Sequence, residues 1–379
     1  MKRLRSTPGG SGSSDRTLQR SGFREVDAPD LPYRPSIPRR YRPEIGLIGC
    51  GGISKVHLQA YQMDGYEVTA LASRRKGAAE ERRDAFFPKA EVYSDHKELL
   101  ARDDIEVVDV ATHPFGRDEI IADALRAGKH VLSQKPFVLD LAVGRRLVAL
   151  AQSRRRLLAV NQNGRWAPYH AYLLAAVRAG LLGGIQTADF AINWDHTWTK
   201  GGVFEKIHHL VLFDFGVHWF DLVASLFSDR KVRSVTAHVA RSPGQTMRPP
   251  MLAHCAVEFE SGLATLAFNA HSKHGPREAF NVCGTAGTLR GEGAGVIQVD
   301  LLDMYWAGCH ARPRLQGAWM PDGFRGAMGE LLCAIEEKRE PENSAANNLR
   351  TLELCFAAMK SADTGRSIRP GTASRASGY

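Results

Sequence analysis

The stretch EIGLIGCGGISKVH, Glu44 to His57, decides the fold. EIGLIG is short, apolar and suited to a buried strand, and GISKVHLQAYQ after it reads as a helix. Between them lies Gly49-x-Gly51-x-x-Ser54. A glycine-rich turn that leads from a strand into a helix is the setting a dinucleotide pyrophosphate needs. Gly49 permits the sharp turn, Gly51 lets the backbone come close to phosphate, and Ser54 is small enough for the third position. Gly52 and Ile53 complete the loop, and the pyrophosphate would rest on the helix N-terminus. A bare glycine-rich turn is the competing reading, and it weakens as strand–helix alternation continues downstream.

EVTALAS (67–73) is a second strand, followed by a charged helix through GAAEERRDAF. EVVDVAT (106–112) leads into the helix DEIIADALRAG. HVLSQ (130–134) and LLAVNQ (157–162) flank the helix LDLAVGRRLVALAQS. Apolar strands alternating with amphipathic helices give βαβ units and a doubly wound parallel sheet, an α/β Rossmann domain. After about residue 165 the pattern changes. ADFAINWDHTW, VRSVTAHVA, MLAHCAVEFE, GLATLAFNAH, EAFNVCGT and GTLRGEG follow one another as strands, which predicts a C-terminal α+β domain with a large, mostly antiparallel open sheet. Two helices end the chain, the second with Ser344 as N-cap and Gly365 as stop. The expected organisation is a disordered or extended basic arm (1–42), a dinucleotide-binding domain (43–165), a substrate-binding and oligomerisation domain (166–372) and a tail (373–379). Ordered structure is expected from about Glu44.

The second strand discriminates between nicotinamide cofactors. An NAD site places Asp or Glu there for the ribose hydroxyls. Here the strand runs out in Ser73 and Arg74, and a hydroxyl beside a guanidinium suits a 2′-phosphate, which favours NADP over NAD. Strand C-termini in a doubly wound sheet line the ligand crevice. That puts Thr112, His113, Gln134 and Lys135 in the cofactor site.

The net charge is +9, but residues 1–42 carry ten Lys/Arg against four Asp/Glu and so hold +6 of it. The rest of the chain is close to neutral and offers no nucleic-acid surface. The six cysteines include no CxxC pair, which suits reduced, mostly buried thiols rather than a disulfide framework. No apolar run reaches about 18 residues and the N-terminus lacks a signal-peptide centre, so neither membrane insertion nor secretion is expected, and the default is cytoplasmic. STPGGSGSSDRTLQRSG is low in complexity and reads as disordered. DLPYRPSIPRRYRPE reads as an extended segment lying on the body or on a neighbouring subunit.

A second chemistry-bearing stretch is HHLVLFDFGVHWFD, His208 to Asp221. Read as one helix at 100° per residue, it places Asp214, His218, Asp221 and Ser225 within about 60° of one another. Asp214 and His218 at i, i+4 could ligate a metal, but His208 and His209 project elsewhere and no third ligand is evident, so no metal is expected. An acid–base pair fits better, since alcohol oxidation sends a hydride to nicotinamide and a proton to a base. Asp221 is assigned to structure, as a partner for the other ring nitrogen. Asn163 and Arg165 after the last parallel strand are expected to touch substrate. So are Trp194, His196 and Trp198, which alternate on one side of a strand; indoles beside polar groups suit a sugar or cyclitol, although core packing explains tryptophans as readily.

Gly49-x-Gly51, GKHVLSQKPF and DFGVHWFD, in this order and with GTAGTL and SADTG after them, resemble the glucose–fructose oxidoreductase, inositol dehydrogenase and rhizopine catabolism family over about residues 43–370. The resemblance implies an NAD(P)-dependent oxidoreductase acting on a small sugar or polyol, with an open C-terminal sheet serving as a homodimer or homotetramer interface. It implies catalysis by the Lys of Glu-Lys-Pro and the Asp and His of Asp-x-Gly-x-His, here Lys135, Asp214 and His218. Three departures stand out. Gln134 replaces the glutamate, Arg117 stands where an imidazole is common, and the acidic ribose ligand is missing. Two other readings stay open: a cofactor-retaining glycosidase that works by transient oxidation, and a non-catalytic nucleotide or sugar sensor.

Overall fold

The structure is a computed structural model that describes residues 22–295 and 298–378. Residues 1–21, where the low-complexity reading falls, lie outside the described residues.

The parallel sheet forms as expected, from β2 (Glu44–Ile48), β3 (Glu67–Ala72), β4 (Glu91–Tyr93), β5 (Ile105–Val110), β6 (His130–Gln134) and β7 (Leu158–Asn161). Their order is β4-β3-β2-β5-β6-β7 and every pairing is parallel. The chain winds outward from β2 in both directions, so the strand order reverses beside it and opens a crevice at the C-terminal ends of β2 and β5. The helices α1 (Ser54–Met63), α2 (Lys76–Phe86), α3 (His96–Leu100), α4 (Arg117–Arg126) and α5 (Leu141–Ser153) connect the strands. Asp140 caps α5, accepting from the Ala142 N–H at 2.7 Å.

The second sheet has nine strands, ordered β1-β15-β14-β13-β12-β8-β11-β10-β9. These are β1 (Arg24–Glu25), β8 (Ile185–Asn193), β9 (Val232–Ala240), β10 (Leu252–Phe259), β11 (Leu263–Asn269), β12 (Arg277–Gly284), β13 (Gly287–Gly293), β14 (Leu301–Trp306) and β15 (Cys309–Ala311). Pairing is antiparallel except at β1–β15 and β8–β11. α6 (Pro168–Arg178) precedes the sheet, and α7 (Val217–Leu226) lies between β8 and β9, on the face that α9 (Ala345–Thr364) also covers. Ser344 accepts from the Asn347 N–H at 3.2 Å and Gly365 takes φ 64°, so both ends of α9 are built as the sequence predicts. α8 (Trp319–Glu337) reaches back across the molecule: its Phe324, Met328, Leu331 and Leu332 share a core with Ile45, Leu47 and Tyr61 of the parallel sheet and α1.

Two expectations are corrected, and the tail finds its place. Ordered chain begins well before Glu44: β1 adds to the edge of β15, Tyr172 donates to the Pro29 carbonyl at 2.8 Å, and Glu336 accepts from the N–H groups of Arg39, Arg40 and Tyr41. The arm is held because its backbone donors find a carboxylate on α8. The C-terminal tail is likewise docked, with Ala376 N–H on Leu139 O at 3.0 Å and Leu141 N–H on Ser374 O at 2.8 Å. Finally, β8 ends at Asn193 rather than running to Trp198, because residues 197–199 curl into a 3-10 turn tied by Asp195 to Thr197 N–H at 3.0 Å.

Candidate active site

Gly49 takes φ 106°, and a Cβ there would lie 2.8 Å from the backbone of Ala111, so β2 and β5 approach too closely for any side chain. Gly51 and Gly52 face open space instead. α1 has no side-chain N-cap, and the N–H groups of Gly51, Gly52 and Ile53 find no acceptor among the described residues. Free donors at a helix N-terminus beside two open glycines fit a pyrophosphate. Ser54, in the third position, turns its hydroxyl onto Gly51 O at 2.6 Å and accepts from Arg82 at 3.2 Å. Ser73 follows β3 with its N–H on Tyr93 O at 3.1 Å. Arg74 beside it is exposed and has no ion-pair partner among the described residues.

Lys135 follows β6 into the crevice and crosses to the second half of the molecule. Its Nζ donates to Asp214 O at 2.7 Å and to Asp214 Oδ1 at 3.3 Å. The backbone explains why that carbonyl is available. Val211–Phe215 is a π-helical turn, not α-helix, and Gly216 N–H bonds to Val211 O at 2.7 Å. The wide turn leaves Asp214 O facing the cleft, outside the α7 ladder. Gly216 is required there, since a Cβ would stand 2.8 Å from Val211 O and 2.9 Å from Leu212 O.

The same turn corrects the single-helix reading of this stretch. Asp214 is held by Lys135 and Asp221 by Arg165 and Thr351, and no hydrogen bond joins Asp214 to His218 among the described residues. His218 sits on α7 in an apolar slot, edge-on to Trp319 at 5.2 Å, with Gly164 packed against its Nδ1. Nδ1 is buried without a partner. Burial first, then the charges of Lys135 and His170, hold the imidazole well below its usual pKa. His218 is therefore neutral at physiological pH.

Arg117 is fully buried and points at carbonyl groups. It donates to Thr112 O at 3.0 Å, to Pro136 O at 2.5 Å and to Gln134 O. Burial pulls its guanidinium down to about 9, still charged at neutral pH. It clamps the loop after β5 to the loop after β6, which is why an arginine can replace an imidazole at this point without entering the crevice.

Of the expected substrate contacts, Arg165 and Asn163 are already engaged by protein. Arg165 grips Asp221 through Nε at 2.5 Å and Nη2 at 2.8 Å, and Asp221 also accepts from Thr351 at 2.9 Å. Asp221 is thus structural, as expected, but its partner is Arg165 and not His218. Asn163 accepts from Trp319 Nε1 at 2.7 Å. Trp194, His196 and Trp198 do come together, although not as a strand face. Trp194 stacks on Phe215 at 3.7 Å and donates to His196 Nδ1 at 3.0 Å, while His196 stands edge-on to Trp198. Trp198 is 70% exposed, and Phe204 links it to His113, which stacks on Phe115. These rings rim the cleft from both sides. His196 is pushed down to about 4, mainly by burial. His208 and His209 both turn Nε2 to Asp363 Oδ1, each at 2.8 Å, away from Lys135.

Sequence reasoning missed His57, Tyr61, Asp109 and Asn161, which pack beneath Gln134. One signal was available: Asp109 is a charge in the middle of an apolar parallel strand, and such a group needs a buried partner.

Residues 44–162 match the family model described as "Oxidoreductase family, NAD-binding Rossmann fold", and residues 170–290 match that of the "GFO/IDH/MocA C-terminal domain". Among curated relatives, D-apiose dehydrogenase of Paraburkholderia graminis is 28% identical over 340 residues, covering 85% of this chain and 88% of the relative. Inositol 2-dehydrogenase of Rhizobium meliloti is 23% identical over 337 residues, covering 85% and 98%. An Agrobacterium radiobacter oxidoreductase solved with NAD+, L-tartaric acid and magnesium superposes with a TM-score of 0.77 at 20% identity, over 87% of this chain and 98% of that one.

Proposed function

The chain belongs to the Gfo/Idh/MocA oxidoreductase family, a nicotinamide-dependent enzyme family, and on that premise we propose that it interconverts a hydroxyl and a carbonyl on a sugar, sugar acid or cyclitol. The observation that carries the reading is the Lys135 ammonium held by Asp214 at the crevice, with a neutral His218 on the adjoining helix. The residues that would hold the cofactor are Gly49, Gly51, Gly52, Ile53 and Ser54 for the pyrophosphate, Ser73 and Arg74 for a 2′-phosphate, and Thr112 and His113 toward the nicotinamide; the buried Gln134 amide, committed to His57 and the Lys135 N–H, lies beneath them. Bound nicotinamide accepts or supplies the hydride.

The protein's own groups manage the proton. Lys135 donates a hydrogen bond to the reacting oxygen and polarises it, with Asp214 fixing Nζ and balancing its charge. His218 has an unprotonated ring at neutral pH, so it can take the proton that leaves an alcohol. In the carbonyl-reducing direction the same path runs backward: the protonated His218 ring returns the proton to the oxygen, and Lys135 keeps its hydrogen bond to that oxygen throughout. The aromatic rim of Trp198, Phe204 and Phe115 offers apolar faces to a sugar ring, and the charge at Arg74 favours NADP over NAD. The open face of the nine-stranded sheet is the proposed homo-oligomer contact.

The test is purified protein assayed for bound nucleotide and then for turnover on a panel of polyols and aldoses. Lys135→Met and His218→Ala should each lower kcat about 10²- to 10⁴-fold and leave nucleotide affinity within a few-fold. Undiminished turnover in both variants removes the acid–base assignment. Release of a sugar from a glycoside with no net change in NADPH would favour the transient-oxidation chemistry instead.

A further inference from the structure

Gln134 stands where the family pattern has glutamate, and its surroundings account for the amide. His57, on α1, is fully buried, and its Nδ1 lies 2.6 Å from Asp109 Oδ2. The same oxygen accepts the Tyr61 hydroxyl at 2.5 Å. An aspartate oxygen that already accepts one proton donor places the second proton on the ring, at Nδ1. On the other side of the imidazole, Nε2 is 3.1 Å from Gln134 Nε2 and 3.3 Å from Asn161 Nδ2. Gln134 Oε1 accepts the Lys135 backbone N–H at 2.6 Å, which fixes the amide with its oxygen toward Lys135 and its NH2 toward His57. Two amide donors therefore converge on Nε2, and the ring is a neutral Nδ1–H tautomer.

We propose that Asp109, His57 and Gln134 form a positioning chain that fixes the Lys135 peptide from beneath, aims Nζ at Asp214, and requires an amide at position 134. None of the three touches the reacting atoms; they act through Lys135, and the functional part of the proposal rests on the reading of Lys135 given above. Each link joins a donor to an acceptor, from the Asp109 carboxylate through the imidazole and the amide to the Lys135 N–H. Arg117 closes the same loop from the side by holding the carbonyls of Gln134 and Pro136. A glutamate at 134 would turn an acceptor toward the lone pair on Nε2. The chain would then close only with one more proton, carried by Nε2 or by the glutamate itself.

The experiment combines 15N-resolved imidazole spectra of His57 with kcat and KM between pH 6 and 9, on wild type, Gln134→Glu and Gln134→Met, all with nucleotide bound. Wild-type His57 should show the Nδ1–H tautomer across the range. Gln134→Glu should lower kcat about ten- to a hundredfold at pH 8.5, with KM for nucleotide nearly unchanged. Its activity relative to wild type should recover as pH falls, as the added proton between residue 134 and Nε2 supplies the missing donor. Gln134→Met should lose activity with no such recovery. An Nε2–H tautomer in wild type, or Gln134→Glu matching wild type at every pH, overturns the chain. If Gln134→Glu does not fold, the wild-type tautomer and Gln134→Met decide alone. Full turnover in Lys135→Met would instead overturn the reading of Lys135, and the tautomer result would still stand.

Discussion

Arg74 and Lys135 are two cations in the same crevice with opposite circumstances. Lys135 is tied down by the carbonyl and carboxylate of Asp214, so its charge is committed before any ligand arrives. Arg74 is exposed and unpaired among the described residues, so its guanidinium is free to meet a phosphate. A charge-assisted pair to a 2′-phosphate contributes about 1.5–3 kcal/mol, or roughly 10- to 150-fold. Arg74→Ala should therefore lower kcat/KM for NADPH by about that factor and leave the value for NADH within about threefold. Equal losses with both cofactors would mean that Arg74 supports the fold rather than choosing the cofactor. Both residues were legible in the sequence because each ends a strand whose neighbours announce it. Arg117 was not: its place in a functional loop hid a side chain turned inward to backbone carbonyls, which only the folded loop brings into range.

The π turn is the element that makes the second half of the site. A regular helix through His208–Asp221 would lock Asp214 O into its ladder and leave Lys135 with a side-chain partner only. The extra residue in Val211–Phe215 releases that carbonyl and resets the face on which α7 begins. A reading at 100° per residue could not find this, because the periodicity of the apolar residues is the same on either side of the break. The one local clue was Gly216 between Phe215 and Val217, a glycine in the middle of an apolar helix. Gly216→Ala should force the turn to open or rewind, since its Cβ would meet two carbonyls at under 3 Å. The expected result is a loss of about 1–3 kcal/mol in stability and at least tenfold in kcat. A melting temperature and turnover both equal to wild type would show that the turn adapts and that its geometry is not required. The glycine pattern of the dinucleotide turn, by contrast, was legible, because apart from the approach of Ala111 to Gly49 it lies within six consecutive residues. The chain through His57 spans 52 residues to Asp109 and 104 to Asn161, and no local pattern carries such pairings.

At the scale of the molecule the site is a seam between two sheets, and the seam is lined with imidazoles that folding deprives of water. Burial lowers His218 and His113 and brings His196 to about 4; away from the seam, at the N-terminal end of β6, His130 is also brought to about 4. In the unfolded chain each returns to about 6.5. Below that pH the unfolded state takes up protons that the native state refuses, so stability is complete above about 6.5 and is lost as pH falls toward 4. His196 alone accounts for roughly 2 kcal/mol at pH 5 on this basis. His310 works in the other direction: its pairing with Glu25 raises it, which adds stability at low pH, but the Glu25 carboxylate is exposed and the pair is screened. Paired carboxylates such as Asp104 and Asp140 are depressed and so lose their contribution only below about 4, outside this window. The melting temperature should therefore fall by several degrees between pH 7.5 and 5, before carboxylate protonation begins. Calorimetry at half-unit steps reads it directly, and His196→Gln should flatten the slope between pH 6.5 and 4.5 because one proton-uptake site is gone. A melting temperature constant down to pH 5 would mean that water reaches the seam in the native state. His218 would then be able to take up a proton near neutral pH and hold it before carbonyl reduction begins.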